Sequence, residues 1–244
     1  PFTAVTGDRV DDQIWYKTGA DFFWRPSSNL QLTATINPDF GAVESDEVVV
    51  NLSATETFFP EKRLFFLEGQ EVFVASPRAD TRGNEVGSGG APTTMVNTRR
   101  IGGRPLEPVT SSDITIHERE LRKPVDLLGA VKVTGQSGPL RYGLLAAFED
   151  DFKFDAKRFG NPFHLPSETS DYGIGRVLLE DAPGGSYKAI GVLSTVTLND
   201  RRDAKTHGLD AHYLSEDGKW KLDSQFFMSD IDDLKTGFGG FADL

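Results

Sequence analysis

Residues 30–37 read LQLTATIN, in which apolar residues at even positions alternate with polar residues at odd positions. This period of two is the pattern of a β-strand with one face buried or in contact with lipid. Residues 14–25, just before it, contain five aromatic side chains, and the turn-forming sequence PSSN at 26–29 connects the two stretches. We therefore predict an antiparallel hairpin, followed by a third, shorter strand at 48–52.

The second half of the chain repeats this hairpin pattern. Three further pairs of strands are predicted: 127–134 with 140–148, 172–180 with 187–198, and 209–214 with 220–228. The turn inside each pair is short, whereas the connections between pairs are longer, up to 149–171. Several strands approach the length of about 9–11 residues that crosses a bilayer obliquely. Short turns at one end and long loops at the other are typical of outer-membrane barrels.

The predicted fold class is all-β, an antiparallel up-and-down β-barrel of the outer-membrane type, and a soluble β-sandwich is the alternative. We expect a single domain over 1–244, with long loops at 76–94 and 102–124 and a short strand at 114–116 within the second loop. Residues 237–244 begin another strand, and an open barrel edge in lipid leaves backbone groups unpaired. The expected barrel is therefore incomplete in this chain.

Aromatic residues near the ends of the predicted strands fit two structures. They form either interfacial girdles of a membrane barrel or the core of a sandwich. These residues are Tyr142, Phe148, Tyr172, Tyr187, Tyr213 and Trp220.

The composition excludes several classes of function. A net charge of −11, from 26 basic and 37 acidic residues, argues against nucleic acid as a partner, because a phosphate-binding surface needs an excess of positive charge. The absence of cysteine excludes disulfides, thiolate metal sites and cysteine nucleophiles. The sequence contains no apolar run of the length that predicts a membrane-spanning helix, roughly 18 residues.

Three ordered segments support a family resemblance. They are NPDFGAVESD at 37–46, VNLS at 50–53 and FFPEKRLFFLEG at 58–69. Over 19–73 the chain resembles a C-terminal outer-membrane β-barrel domain of unknown function, found downstream of a family-nine-like carbohydrate-binding domain in Gram-negative bacteria. The resemblance implies the bacterial outer membrane as location, its lipid as partner, a sugar-binding domain upstream and further strands downstream. It implies no catalytic residues.

The segment FFPEKRLFFLEGQEVF at 58–73 follows neither the helical nor the strand period. Its aromatic residues need burial, whereas its charged residues need partners or water. We predict that residues 53–73 fold inward as a plug of the barrel, and a loop that caps the barrel rim is the alternative. The charged residues expected to form ion pairs in the plug are Glu61, Lys62, Arg63, Glu68 and Glu71.

Polar residues at inward positions of the later strands are candidates for the barrel interior. They either line a polar channel or pair with one another to fill a narrow barrel. We favour packing, because a selectivity ring is not identifiable from these residues. The candidates are Arg141, Arg176, Asp210, His212, Lys221, Asp223 and Gln225.

Neither a catalytic site nor a cofactor site is predicted. Asp39, Glu44 and Asp46 are weak candidates for a calcium site, since carboxylates suit calcium, but their spacing fits a solvated turn better. His207 and His212 point to opposite faces if they lie on one strand, which disfavours a shared metal. No nucleophile elbow and no phosphate-binding loop is present.

These observations predict a non-enzymatic outer-membrane β-barrel that anchors, or passes, a glycan or other small ligand at the cell envelope. The link to carbohydrate rests on the resemblance alone. The first alternative is an envelope hydrolase that acts on glycosidic bonds, which would need a clustered acid and base. The second alternative is a soluble β-sandwich binding module.

Overall fold

A computed structural model describes residues 2–7, 14–40, 61–75 and 94–244. These residues form two antiparallel β-sheets, so the predicted all-β antiparallel fold is confirmed. The strands are β1 (Phe2–Gly7), β2 (Ile14–Ser27), β3 (Leu30–Ile36), β4 (Ile114–Ile116), β5 (Leu127–Ser137), β6 (Leu140–Glu149), β7 (Lys153–Arg158), β8 (Asn161–Pro166), β9 (Ser170–Asp181), β10 (Tyr187–Asn199), β11 (Ala204–Leu214), β12 (Lys221–Ile231) and β13 (Gly237–Asp243). The helical elements are α1 (Leu64–Leu67) and the 3₁₀ turns Gln70–Phe73, Thr98–Arg100, Glu120–Arg122 and Pro183–Gly185.

The large sheet contains ten strands in the order β1-β2-β3-β5-β6-β9-β10-β11-β12-β13, which is an up-and-down arrangement with two excursions. Four of its hairpins were predicted from the sequence: β2 with β3, β5 with β6, β9 with β10, and β11 with β12. In the described part of the chain β1 and β13 do not pair with each other, so the sheet has two edges. The strand predicted at 48–52 lies outside the described residues, as does nearly all of the loop predicted at 76–94.

The two ends of the large sheet differ. At one end the strands are joined by short turns, such as the turn at Gly138, whose φ of 55° suits a residue without a Cβ. At the other end the chain makes its two long connections, 37–126 and 150–169. We call these the tight-turn end and the long-connection end. The asymmetry predicted from the sequence is therefore present only in part, because the connections 200–203 and 232–236 at the long-connection end are as short as the turns at the other end.

The small sheet, in the order β4-β7-β8, joins the two long connections. The predicted strand Ile114–Ile116 is confirmed as β4, whereas the hairpin of β7 and β8 lies in a stretch that the sequence analysis left as a connection. Phe154 and Ala156 of β7 are buried, and the prolines of β8 are tolerated because it is an edge strand.

The large sheet has two faces of opposite character. Alternate residues on the face we call the open face are exposed and apolar; examples are Ile190, 59% exposed, and Phe226, 54% exposed. Further exposed residues of this face are Phe22, Trp24, Ile36, Val131, Leu144, Phe148, Val177, Leu179, Val192, Leu198, Leu209, Tyr213 and Phe238. The other face, the covered face, buries apolar side chains such as Leu145 and Leu193 together with polar and charged ones, which are Gln31, Thr33, Thr35, Lys132, Arg176, Asp210, Asp223 and Gln225.

Large apolar side chains are thus exposed on one face while charged ones are buried on the other, and in this respect the polarity is reversed relative to a soluble sheet, in which charged residues face water. No helix among the described residues combines the length and the apolar character needed to span a membrane.

Candidate functional site

Residues 61–75, which we call the plug, form a compact turn. Helix α1 makes a single turn after Arg63, and Gly69, with a φ of 69°, reverses the chain into the 3₁₀ turn Gln70–Phe73. The positive φ explains the glycine at this position. Phe65 and Phe66 are buried while Leu64 is exposed, so the aromatic residues of the turn all point to one side.

The buried side of the plug packs on the covered face of the large sheet. The side chains of the plug in this cluster are Phe65, Phe66, Val72 and Phe73, and those of the sheet are Leu127, Ala130, Leu145 and Ala147. Gly143 permits the close approach, because a Cβ there would lie 2.8 Å from the Val72 side chain and 2.9 Å from that of Phe73. The described part of the predicted plug, 61–73, therefore lies against the sheet; residues 53–60 are outside the described ranges.

Lys132 of β5 makes a polar contact between the sheet and the plug. Its ammonium group donates to the carbonyl oxygens of Phe65 and Glu68, at the end of helix α1 where carbonyl groups lack helical partners. The same nitrogen lies 4.9 Å from the centre of the Phe65 ring. The sequence analysis missed Lys132. The feature that could have identified it is a charged residue at an inward position of an alternating strand.

A second polar contact joins the plug to residues 94–103, which we call the bridge segment. Arg63 pairs with Glu61 through two bonds, Nε to Oε1 at 2.9 Å and Nη2 to Oε2 at 2.8 Å. The guanidinium also donates to the carbonyl oxygens of Ile101 and Thr98, both at 2.6 Å, and lies 4.3 Å from the centre of the Phe66 ring. All of these groups are buried. The predicted pair of Glu61 and Arg63 therefore binds the plug to the bridge segment.

The pKa of Glu61 reflects this environment. Burial pushes the pKa of the carboxyl group upward, but the hydrogen bonds and the charge of Arg63 outweigh it, and Thr98 donates a further bond of 2.7 Å. The pKa therefore lies below its ordinary value. The other three candidates of the plug, Lys62, Glu68 and Glu71, lie on its exposed surface.

The covered face of β9 to β12 contains a continuous chain of charged groups. Arg176 of β9 forms a bidentate pair with Asp210 of β11, with 2.7 Å between Nη2 and Oδ2. The ring of His212 lies between two carboxylates: Nε2 is 2.9 Å from Asp210 and Nδ1 is 2.7 Å from Asp223. Lys221 continues the chain with 2.9 Å to Asp223. Five of the predicted interior residues are thus brought together.

Glycine makes this arrangement possible at two positions. Gly191 of β10 lies between Arg176 and Asp210, and a Cβ there would be 2.5 Å from Nη1 of the guanidinium. Gly208 of β11 leaves space for the Met95 side chain of the bridge segment, to which Gln225 donates a hydrogen bond of 3.4 Å. The bridge segment therefore contacts both the plug and the strands beyond it.

A separate pair lies nearer the tight-turn end. Arg141, the remaining candidate, is 2.9 Å from Glu180, and the Tyr187 hydroxyl donates to the same carboxylate at 3.1 Å. Tyr187 lies on the covered face, and so does Tyr172, which donates to Glu149. The sequence left open whether these two tyrosines form a girdle or a core; they lie on the covered face, where their hydroxyl groups bond to carboxylates. Tyr142, Phe148 and Tyr213 lie on the open face.

The geometry favours structural ion pairing over catalysis or metal binding. The carboxylates of Glu61, Asp210 and Asp223 each contact a basic side chain, which leaves them poorly suited to accept a proton from a substrate. The described residues contain no group of three or more His, Asp or Glu that could hold a metal ion. Of the weak calcium candidates, Asp39 is described, whereas Glu44 and Asp46 lie outside the described residues. His207 and His212 lie on opposite faces of β11, as predicted.

Comparison with known proteins gives one match. A family model described as a domain of unknown function, DUF5916, matches residues 1–243. No curated protein and no solved structure matches the chain.

Proposed function

We propose that the chain, which belongs to the DUF5916 family, is a non-enzymatic outer-membrane β-barrel whose open face contacts lipid and whose covered face points to the barrel interior. The single observation that supports this most is the reversed polarity of the large sheet. Its exposed face presents large apolar side chains from β2 to β13, while Lys132, Arg176 and Asp210 are buried on the other face.

In water such a contiguous apolar face would be costly, because apolar surface is stabilised by removal from water at about 25 cal/mol per Å². In lipid the same face is favourable. The strands also fit a bilayer: β5, β6, β9, β10, β11 and β12 contain 10 to 13 residues each, and a tilted strand of about 9–11 residues crosses the hydrocarbon region.

The proposal has a consequence for the edges of the sheet. Unpaired backbone groups in hydrocarbon cost several kcal/mol each, so the outer edges of β1 and β13 must find hydrogen-bond partners in the membrane. A closed barrel, completed by further strands, meets this requirement. The family resemblance described above suggests the role of this barrel, which is to anchor, or to pass, a glycan or another small ligand at the cell envelope.

A soluble sandwich would need a second layer over the open face to remove its apolar side chains from water. Among the described residues the layer that exists, the plug with the bridge segment, lies on the covered face instead. This placement is the reason that we favour the membrane.

Fractionation of cells that produce the natural protein tests the proposal. We expect the protein in the outer-membrane fraction, extractable only with detergent and with heat-modifiable migration in gels. Recovery in the soluble fraction without detergent would overturn the proposal.

A second test uses the absence of cysteine. A nitroxide attached at Leu209→Cys on the open face should be accessible to oxygen and shielded from a water-soluble nickel complex, and one at Asp217→Cys in an exposed turn should show the opposite. Equal access of the nickel complex to both sites would also argue against lipid contact.

A further inference from the structure

The covered face differs from the wall of a water-filled channel. Side chains that line such a channel are hydrated, whereas here Arg176 is 1%, Lys132 is 2% and Asp210 is 3% exposed. Thr35, Asp223 and Gln225 on the flanking strands are buried as well. Apart from Thr35 Oγ1 and Arg176 Nε, which are buried without a hydrogen-bond partner among the described residues, these polar groups bond to one another and to backbone carbonyl groups instead of to solvent.

The contacts on the covered face fall into two neighbouring regions. Over β5, β6 and β9 the apolar side of the plug packs on Ala130, Leu145 and Ala147, with Lys132 bonded to two plug carbonyl groups. Over β9 to β12 the charged chain from Arg176 to Lys221 extends from strand to strand.

The bridge segment connects these two regions. Its carbonyl groups at Thr98 and Ile101 accept from Arg63 of the plug, and its Met95 lies over Gly208 and accepts from Gln225. Displacement of the plug alone would break the bonds of Arg63 and Glu61 to the bridge segment, and it would leave the buried ammonium group of Lys132 without its two carbonyl partners.

We infer that the plug and the bridge segment form one permanently seated stopper, and that the barrel holds its place in the membrane without passing ions or sugars along the covered face. This inference rests on the proposed function, and it chooses anchoring over passage. The covered-face residues named in the sequence analysis then pair with one another to fill the barrel and do not line a channel. Fixed contacts close the interior, and no part of the plug opens as a gate.

A disulfide between the plug and the sheet tests directly whether the plug stays on the covered face. A Cβ at Gly69 would lie 3.8 Å from the Cβ of Thr134 on β5, which is the separation found in disulfides. Gly69→Cys combined with Thr134→Cys therefore links the plug to the sheet under oxidising conditions, and since a side chain at a φ of 69° is strained, the reduced form of the same variant is the reference for that strain. The matched control is Ala211→Cys with Ser224→Cys, which links two paired positions on the open face of β11 and β12.

Conductance across planar bilayers is then compared for the natural protein and for both disulfide variants, oxidised and reduced. We expect no conductance above the lipid background in any sample. Conductance of the natural protein would overturn the inference: if the plug disulfide abolishes it, the plug is a gate, and if not, the stopper does not fill the interior. Flotation of the same samples with liposomes reports membrane insertion separately, and failure to float would count against the proposed function.

Hydrogen exchange in detergent tests, without a membrane, whether the plug stays in contact with the covered face. We expect the amide groups of residues 65–73 to exchange on the same time scale as those of β5 and β6. Exchange of the plug a thousandfold faster than that of these strands would show that it leaves its seat often, and would overturn the inference whatever the conductance.

Discussion

The guanidinium of Arg176 crosses strand β10 and binds the carboxylate of Asp210 on β11, and both groups are almost completely buried. The crossing is possible because the residue between them is Gly191. A buried pair of this kind contributes little net stability compared with an apolar pair, but its disruption is costly, because one charge is left buried without a partner. The contact therefore makes this part of the covered face sensitive to small changes.

Gly191→Ala should destabilise the protein. Its Cβ would lie 2.5 Å from Nη1 of Arg176 and would displace the guanidinium from Asp210. We expect a loss of unfolding free energy approaching the roughly 3–5 kcal/mol of a broken buried pair, measured by denaturant unfolding in detergent. The matched control is Gly173→Ala on β9, where a Cβ would meet no atom within 4 Å. Equal losses in the two variants would contradict the explanation.

Val192→Arg should impair folding into lipid. Val192 lies on the open face, and an arginine facing lipid near the membrane midplane costs about 2–4 kcal/mol. The free energy of unfolding from phosphatidylcholine vesicles is the measurement. Val109→Arg changes an equally apolar residue that is exposed outside the strands, and we expect an effect within about 0.5 kcal/mol. If Val192→Arg is equally neutral, the open face does not contact lipid.

Lys132→Met should loosen the plug without unfolding the sheet. The change removes the ammonium group that donates to Phe65 and Glu68 and leaves both carbonyl groups without that partner. The loss of charged hydrogen bonds, about 1.5–3 kcal/mol, corresponds to roughly ten- to hundredfold faster amide exchange in residues 65–73. Lys205→Met, at an exposed position of β11, is the control. Unchanged exchange in Lys132→Met would show that apolar packing alone holds the plug.

The contact between the plug and the bridge segment should weaken in acid. The pKa of Glu61 lies below its ordinary value of 4.5, owing to Arg63 despite burial. The carboxylate therefore contributes stability that is fully present above pH 4.5 and is lost as the pH falls through the lowered pKa. Calorimetric melting between pH 7 and pH 3 should show this loss. Glu61→Gln should melt lower at pH 7 and show a smaller decrease in acid; an unchanged decrease would assign the acid sensitivity to other groups.

Several features of the fold were predictable from the sequence. The stretch at 30–37 alternates strictly, and the pattern returns in the later hairpins, so the strands and their pairing by short turns could be read locally. The hairpin of β7 and β8 was missed because β7 has only six residues, although 153–157 alternate, and because the two prolines of 161–166 disfavour a strand.

The site was predictable in part. The charged residues of β9 to β12 were identified as interior candidates because they occupy inward positions of alternating strands. The partner of each one was not predictable: Arg176 reaches Asp210, two strands away, only because position 191 is a glycine. Lys132 was missed because its role depends on carbonyl groups more than sixty residues earlier in the chain.

The amino-acid sequence alone determined which residues form strands and which side chains share a face, because both follow from a period of two between neighbours in the chain. The tertiary structure decided which face is covered, what covers it and how its charged groups are paired. Those contacts join residues far apart in the sequence, and their geometry depends on strand register and on the space left by individual glycines, which no local pattern specifies.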